Sequence, residues 1–472
     1  MFKPSKEEFI ELSKKGNLIP VYKEIVADME TPVSALKKIG DDYAFLFESV
    51  EGGENIARYS FLGSNPDKIF KFNKGEDPFV ELKKIITQYK PVEVAGVPRF
   101  HGGLVGYLSY DVIRYIENLP DKNPDKLNIP EAQFMLTDTI LAFDHVKHKI
   151  LIISNAHVKN DPKKAYDEAV EKIQILEKKL KRPIKNDDFE IPDKGRKGLD
   201  ISSNFSKAQY MQVVERAKEY IRAGDVIQVV PSQRLETKFS GDALNVYRML
   251  RIINPSPYMF YLKLKNVALV GSSPEVMVRL EKGEAVIRPI AGTRPRGKDD
   301  LEDKKFAEEL LSSEKERAEH IMLVDLARND LGRVCDSMTV KTTELMAIEK
   351  YSHVMHIVSN VVGKLKKEFD AFDLIKASFP AGTVSGAPKV RAMEIIDELE
   401  DRKRGPYAGA VGYFSFSGEM DTCIAIRTLV LQNGKAYVQA GGGVVADSNP
   451  EKEYEETINK ARAVLRALEL LQ

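Results

Sequence analysis

Two short turns constrain this chain more than any other feature. The β-rich runs "MFYLKL" (259–264) and "VALVGSS" (267–273) are separated only by Lys265 and Asn266, and "LEKGEA" (280–285) turns just as tightly through Lys282 and Gly283. Connections this short leave no room for a crossover, so the runs they join must pair antiparallel. Further β-rich runs occur on both sides of them, among them "YAFLFESV", "GGLVGYLSY", "KILIISNAHV", "VIQVVPSQRL", "EAVIRPIAGT", "GAVGYFSF" and "KAYVQA". Helical periodicity is read around 162–181 and over 206–223, 301–312, 314–331, 370–377, 387–399 and 450–471. This pattern predicts an α+β fold with mainly antiparallel sheet, rather than a doubly wound parallel one.

One stretch interrupts the pattern. Residues 182–200, "RPIKNDDFEIPDKGRKGLD", are polar, Pro-punctuated and aperiodic, and read as a linker. They divide the chain into an N-terminal region, 1–190, and a C-terminal region, 200–472. The 472 residues carry 71 basic and 71 acidic side chains, a balance that excludes a nucleic acid or membrane surface held by bulk charge. Two cysteines give no disulfide framework and fit a reducing compartment. The first residues, "MFKPSKEEFIELSKKG", hold no apolar core of a secretion signal, and no apolar run reaches the ~18 residues of a membrane helix. A cytoplasmic protein is expected.

The segment "SEKERAEHIMLVDLARND" (313–330) poses a chemical question. From Ile321 to Ala327 its apolar residues cover the whole helical circumference, which predicts a helix buried all round. Its first turns nevertheless hold Glu316 and Glu319. Ser313 and Glu316 read as a capping box, which accounts for one of the two. A second helix, opened by Asn449 and Pro450, carries Glu453 and Glu456 at the same i, i+3 spacing. Two helix starts offering acidic pairs could converge on one hard cation. Mg²⁺ takes one or two protein carboxylates and fills its other sites with water and substrate oxygens. Solvated helix faces, with Glu456 and Lys460 as an ordinary i, i+4 pair, account equally well for either helix taken singly.

The company these pairs keep decides the matter. "RPIAGTRPRG" (288–297), "EHIMLVDLARNDLGRV" (319–334), "YSHVMHIVS" (351–359), "FPAGTVSGAPKVRAMEII" (379–396), "RGPYAGAVGYFS" (404–415), "IAIRT" (424–428) and "QAGGGVVADSNPEKEYEET" (439–457) follow in that order, after "FESVEGGENIARYSFLG" (47–63). Together they resemble the chorismate-utilising enzymes, most closely the anthranilate synthase component I family, over the whole chain. The resemblance implies two packed, mainly antiparallel β-sheets flanked by helices, with the active site between them. It also implies a Mg²⁺-dependent lyase that converts chorismate and ammonia to anthranilate and pyruvate, the first committed step of tryptophan biosynthesis.

Site residues follow from the same resemblance. Glu319 and Glu456 are the implied Mg²⁺ ligands, with Glu316 and Glu453 holding metal-bound waters. Arg427 is the implied fork on the enolpyruvyl carboxylate, and a planar guanidinium suits that anion. Tyr407, Lys460, Thr293 and the backbone of Gly441, Gly442 and Gly443 are further implied chorismate contacts. Relatives often carry Ala at the position of Gly442. Glu275 is the implied acid that protonates the departing hydroxyl, while His356 and Thr383 act beside the ring. Taken alone, Glu275 would read as a turn residue, His356 as a core histidine, and the threonines as caps.

Two positions separate neighbouring branches. Gln228 stands where water-adding isochorismate synthases typically place a lysine base, and an amide cannot be that base. Ala291 stands where the aminodeoxychorismate synthase component I branch typically places a nucleophilic lysine. Both favour free ammonia. Neither Cys335 nor Cys423 lies in a glutaminase motif, so the resemblance implies a separate glutamine amidotransferase subunit in a hetero-oligomer, a heterotetramer by family pattern. It further implies an L-tryptophan feedback pocket in the N-terminal region, with Glu48 and Ser49 facing Pro257, Tyr258 and Met259. A catalytically inactive tryptophan-binding regulatory protein is the alternative of a different class, and the intact set Glu319, Glu456, Arg427 and Lys460 speaks against it.

Overall fold

The computed structural model describes residues 1–49, 58–184, 189, 198–351 and 354–471. Both tight turns form as expected. Tyr258–Leu264 pairs with Val267–Ser273, and Val276–Glu281 with Glu284–Ile287, each antiparallel. Lys282 and Gly283 both adopt positive φ, 51° and 78°, the backbone that matches a two-residue turn to the twist of its strands. The run "EAVIRPIAGT" is two strands rather than one, Glu284–Ile287 and Ile290–Pro295, and "VIQVVPSQRL" likewise splits into Gln228–Val229 and Ser232–Lys238. Pro289 and Pro231 lie in the two breaks, because proline has no N–H to give a ladder.

Two large antiparallel sheets result, one of twelve strands and one of ten among the described residues. The larger sheet draws half of its strands from each side of the linker. They meet where Tyr43–Glu48 pairs with Tyr258–Leu264. In the smaller sheet the same seam is Gly103–Leu108 against Ala410–Ser415. The regions 1–190 and 200–472 are therefore successive in the chain but interleaved in space, and neither owns a sheet. Of the linker, residues 185–188 and 190–197 lie outside the described residues; the Phe189 ring packs 3.8 Å below the Arg248 guanidinium.

Three apolar layers hold this arrangement. Phe45, Phe61, Phe260 and Leu269 of the larger sheet meet Val105, Met135, Val411 and Tyr413 of the smaller one. Outside the larger sheet, helices Pro162–Leu180, Ala243–Ile253 and Pro450–Glu469 bury Ile173, Leu250 and Leu465. Outside the smaller sheet, helices Pro78–Ile86, Glu314–Gly332 and Ala371–Ser378 bury Leu82, Leu331 and Ile375. The order helix, sheet, sheet, helix is the two-sheet α+β architecture expected from sequence. Among the described residues no helix is long and apolar enough to cross a membrane.

One helix differs from expectation. Glu314–Gly332 is buried on one face only: His320, Leu323, Val324, Ala327 and Leu331 point inward, while Arg317, Ile321, Asp325 and Arg328 point out. Ile321 is 40% exposed. The inward residues form the ordinary i, i+3, i+4 stripe, and the apolar Ile321 broadened it falsely in a reading based on residue type. The Ala243–Ile253 helix was not anticipated at all. Its stripe of Leu244, Tyr247 and Leu250 follows Asp242, which caps the first turn, and these signals were present in the sequence.

Candidate active site

The chain passes from the larger sheet to the smaller one between Ser273 and Val276, and returns between Ile424 and Thr428. The Ile424 N–H donates to the Glu275 carbonyl at 3.0 Å, which fastens the two crossovers side by side. The first carries Glu275 and the second Arg427. A cleft of about 670 Å³ opens over them. Arg427 adopts φ 51°, a left-handed backbone that side chains avoid unless the surroundings enforce it. Its Nη1 donates to the Lys460 carbonyl at 3.0 Å, and burial draws its pKa below the ordinary guanidinium value.

Glu275 is buried, and burial pushes its pKa up to about 8. Two weaker influences pull the other way: the Thr383 hydroxyl, which donates to Oε1 at 2.8 Å, and the charge of Lys460. A carboxyl protonated at neutral pH and aimed into a cleft is equipped to act as a general acid. Thr383 is thereby placed as the partner of the acid.

Both acidic pairs reach the same cleft. Glu319 accepts from the Gln228 amide at 3.2 Å, and Glu316 meets Arg294 Nη1 at 3.4 Å. The Ser313 hydroxyl does accept from the Glu316 N–H, at 3.4 Å, yet the Glu316 carboxylate turns to Arg294 instead of closing a capping box. From the other helix, Glu453 is buried and accepts from Ser448 Oγ at 2.8 Å, while Glu456 pairs with Lys460 at 2.7 Å. The pKa of Glu319 is raised by burial and then by Glu316 and Glu456; that of Glu453 is raised by burial and, less, by Glu456. The carboxylates repel one another, so the site is short of positive charge.

A hard divalent cation fits that deficit, since every donor is oxygen and none is sulfur or imidazole. Among the described residues no three or more His, Cys, Asp or Glu side chains are gathered closely enough to hold a metal ion by themselves. An open site that leaves coordination positions to water and substrate is what Mg²⁺ accepts and structural zinc does not. The contacts of Glu316 with Arg294 and of Glu319 with Gln228 carried no sequence signal as pairs, because they join residues 22 and 91 positions apart.

Beside the first acidic pair, Thr293 and His356 are cross-strand neighbours. The ladder slips between Ala291 and Thr293, where Gly292 bulges with φ 65°. That bulge aims the Gly292 carbonyl at His356 Nδ1, 2.9 Å away, with Thr293 Oγ1 at 3.1 Å. A carbonyl only accepts, so Nδ1 carries the hydrogen and Nε2 keeps its lone pair. Burial lowers the His356 pKa, which favours this neutral form. The Tyr351 ring stands edge-on to the imidazole at 5.6 Å. Ser352 and His353 of the same motif lie outside the described residues. A side chain on Gly292 would come within 2.9 Å of Glu316 and Leu310, so glycine serves both the turn and the approach.

The remaining contacts close the floor. Lys460 Nζ donates to the Gly441 carbonyl at 3.0 Å, and Gly441 approaches the buried Tyr407 hydroxyl. Burial pushes the Tyr407 phenol up to about 12, so it stays a donor. Gly441 and Gly443 line the cleft, whereas Gly442 sits behind it against Glu453. A Cβ on Gly442 would lie 3.0 Å from Glu453 Oε2, an approach that a small shift of the carboxylate would relieve. Gln228 and Ala291 also line the cleft, and Gln228 Oε1 is buried without a hydrogen-bond partner among the described residues.

A second, smaller cavity of about 60 Å³ lies between the sheets, and Glu48, Ser49, Pro257, Tyr258 and Met259 all line it. Sequence reading missed its other walls, including Arg99, Phe61, Tyr413 and Asp421. Tyr258 donates to Asp421 at 3.0 Å, and Asp421 also accepts from Arg99 at 3.1 Å. The Glu48 carboxylate is engaged by Tyr247 and lies 3.2 Å from Arg251, and burial raises its pKa. Val50 to Ala57, the rest of that motif, lie outside the described residues.

The sequence matches the family described as chorismate binding enzyme over residues 42–466. It is 49% identical to anthranilate synthase component 1 of Acetivibrio thermocellus, covering 99% of each chain, and 48% identical to that of Aquifex aeolicus, covering 99% of this chain and 98% of the relative. In structure it superimposes on anthranilate synthase component I from Streptococcus pneumoniae with TM-score 0.78 and 38% identity, covering 93% and 98% of the two chains. The isochorismate synthase MenF of Escherichia coli shares the fold, with TM-score 0.73 at 19% identity over 99% of both chains. With this cleft between its sheets, the chain belongs to the chorismate binding enzymes, in the anthranilate synthase component 1 family.

Proposed function

We propose that the cleft converts chorismate and ammonia to anthranilate and pyruvate. The observation that carries this reading is the meeting, in one cleft, of the buried carboxyl of Glu275, the cations of Arg427 and Lys460, and the carboxylates of Glu316, Glu319, Glu453 and Glu456. Arg427, Lys460 and Tyr407 bind and orient the two carboxylates of the substrate. Glu319 and Glu456, with Glu316 and Glu453 beside them, would hold Mg²⁺, which would supply Lewis-acid stabilisation of developing charge when bound. Glu275 gives its proton to the departing C4 hydroxyl as nitrogen enters at C2. His356, neutral with Nε2 free, takes the C2 proton as pyruvate leaves.

Ammonia is favoured over water because Gln228, where water-adding relatives place a lysine, is an amide that cannot deprotonate a water. Gln228 Oε1 lacks a donor, and an incoming N–H can supply one. Ala291 lines the cleft without offering an amine. The ammonia comes from a glutamine amidotransferase partner, and the complex is a cytoplasmic hetero-oligomer. The cavity between the sheets is the site at which L-tryptophan would bind as feedback inhibitor, and it must open beyond its about 60 Å³ to admit the indole. Its lining by both halves of the predicted motif pair supports this.

The deciding experiment incubates the purified chain with chorismate, Mg²⁺ and an excess of ammonium salt at mildly alkaline pH, no higher than the Glu275 pKa of about 8, and follows aromatic-amine fluorescence. Anthranilate is expected. A para-substituted product indicates the aminodeoxychorismate branch, isochorismate the water-adding branch, and absence of turnover a tryptophan-binding protein without catalysis.

A further inference from the structure

The two helices that present the carboxylates begin alike. Glu314-Lys315-Glu316 precedes Glu319 by the same spacing as Glu451-Lys452-Glu453 precedes Glu456. A lysine in the first turn of a helix faces the positive end of the helix dipole and is unfavourable there. Two such lysines at matching positions therefore call for a reason other than helix stability. Both are exposed, and both line the active-site cleft. Neither ammonium has a hydrogen-bond or ion-pair partner among the described residues. Their neighbours do: Lys207 pairs with Glu451, and Lys460 with Glu456. The charge of Lys315 is felt on both helices, at Glu319 and at Glu453, where it opposes the upward pull of burial.

The charge balance of the cleft shows what these lysines do. With Glu275 neutral, five lining carboxylates (Glu316, Glu319, Glu453, Glu455 and Glu456) face four lining cations. Without Lys315 and Lys452 only Arg427 and Lys460 among the lining residues, with Arg294 behind Glu316, would oppose the same five. A dianionic substrate approaching a cleft so charged would be repelled before it reached the clamp, whereas a divalent metal would be held more tightly. We infer that Lys315 and Lys452 form a cationic rim that draws the dianionic substrate past the carboxylates and at the same time holds down the affinity for the divalent cation. They are positioning residues that touch neither the reacting atoms nor the metal. The inference rests on the proposed reading of the cleft as a site for a divalent cation and a dicarboxylate.

The test uses the full chain with Lys315→Gln, Lys452→Gln and the double substitution, and Lys→Arg at both positions as the charge-preserving control. Mn²⁺ binding is measured without substrate, from the electron paramagnetic resonance signal of the free ion. Separately, kcat/KM for chorismate is measured with ammonium at saturating Mg²⁺ across ionic strength. The double Gln variant is expected to bind Mn²⁺ several-fold more tightly, and to lose about tenfold in kcat/KM at low salt with kcat retained. The kcat/KM difference should vanish near ~1 M salt, where screening acts within about 3 Å, and the Arg variant should match the parent. A double Gln variant in which both quantities fall, both rise or neither moves overturns the inference. Failure of the underlying reading shows differently: the parent chain would then bind no Mn²⁺ that Glu456→Gln removes.

Discussion

The Thr383 hydroxyl donates a 2.8 Å hydrogen bond to Glu275 Oε1, joining residues 108 positions apart. A donor favours the ionised carboxylate, so this bond pulls the Glu275 pKa down against the stronger upward push of burial. The acid form is the competent one. In the parent chain kcat/KM should therefore fall as pH rises through about 8. Thr383→Val removes the donor and should carry that alkaline limb to higher pH. A limb that stays in place in the variant would show that Thr383 does not control the acid.

Glu275 should also be expensive to keep. Its folded pKa of about 8 lies above the ordinary 4.5, so the native state gains from its protonation. That support is fully present below pH 4.5 and is lost as pH rises through about 8. At pH 7 the carboxyl must be kept protonated against its unfolded preference, at ~1.4 kcal/mol per pKa unit. Glu275→Gln should thus raise unfolding free energy by about 3 kcal/mol near neutral pH while lowering turnover by about 10²–10⁴. Denaturant melts at pH 4 and pH 7 check the first claim, since the gain should shrink at the lower pH.

Glu456→Gln should abolish turnover and leave the fold intact, because Glu456 is half exposed and the helix is anchored elsewhere by Leu465 and Leu468. Removing one preorganised electrostatic stabiliser costs about 2.7–4 kcal/mol of barrier. Near-normal rates at limiting Mg²⁺ in the variant would refute the ligand assignment.

Arg427→Lys should be a severe lesion despite the conserved charge. An ammonium cannot give a carboxylate two parallel hydrogen bonds, and the strained backbone at φ 51° is there to aim a longer group. The damage belongs in kcat/KM for chorismate. An effect confined to the dependence on ammonia would be inconsistent with a clamp.

No tryptophan occurs among the 472 residues, so bound ligand can be watched in the indole window without background. L-Tryptophan should bind with blue-shifted, polarised emission and weaken chorismate binding, and chorismate with Mg²⁺ should weaken tryptophan binding by the same factor. Ser49→Phe should remove the indole signal and the inhibition together while ammonia-dependent turnover persists. Tryptophan affinity that saturating chorismate leaves unaltered would defeat this account.

The antiparallel framework was readable because it is local: Lys282 and Gly283 dictate a turn wherever they stand. Helix starts at Ser313 and Asn449 were readable for the same reason. What chain-local patterns could not supply was the partner across the fold. Nothing near Glu319 announces Gln228, and nothing near Glu316 announces Arg294; Ile321 looked like core because residue type carries no direction. The proline breaks at 231 and 289 were visible but outweighed by the apolar runs around them. The motif set placed Glu275, Arg427, Lys460 and both acidic pairs in one cleft, yet gave no hint that the acid lies on the first of two paired crossovers.

The seams between the regions bear on how the chain is made. Tyr43–Glu48 and Gly103–Leu108 leave the ribosome long before the strands that cover them, Tyr258–Leu264 and Ala410–Ser415. At roughly 5–20 residues per second, the two delays are on the order of 10–40 and 15–60 seconds. Throughout that interval the nascent N-terminal portion carries two open strand edges with unsatisfied backbone groups, which invite pairing with other chains. Its own later half is the only part of the molecule that closes both. Separating the halves into two polypeptides would make that closure a bimolecular encounter, so a single long chain keeps the effective concentration of each edge's partner high from the moment it is synthesised.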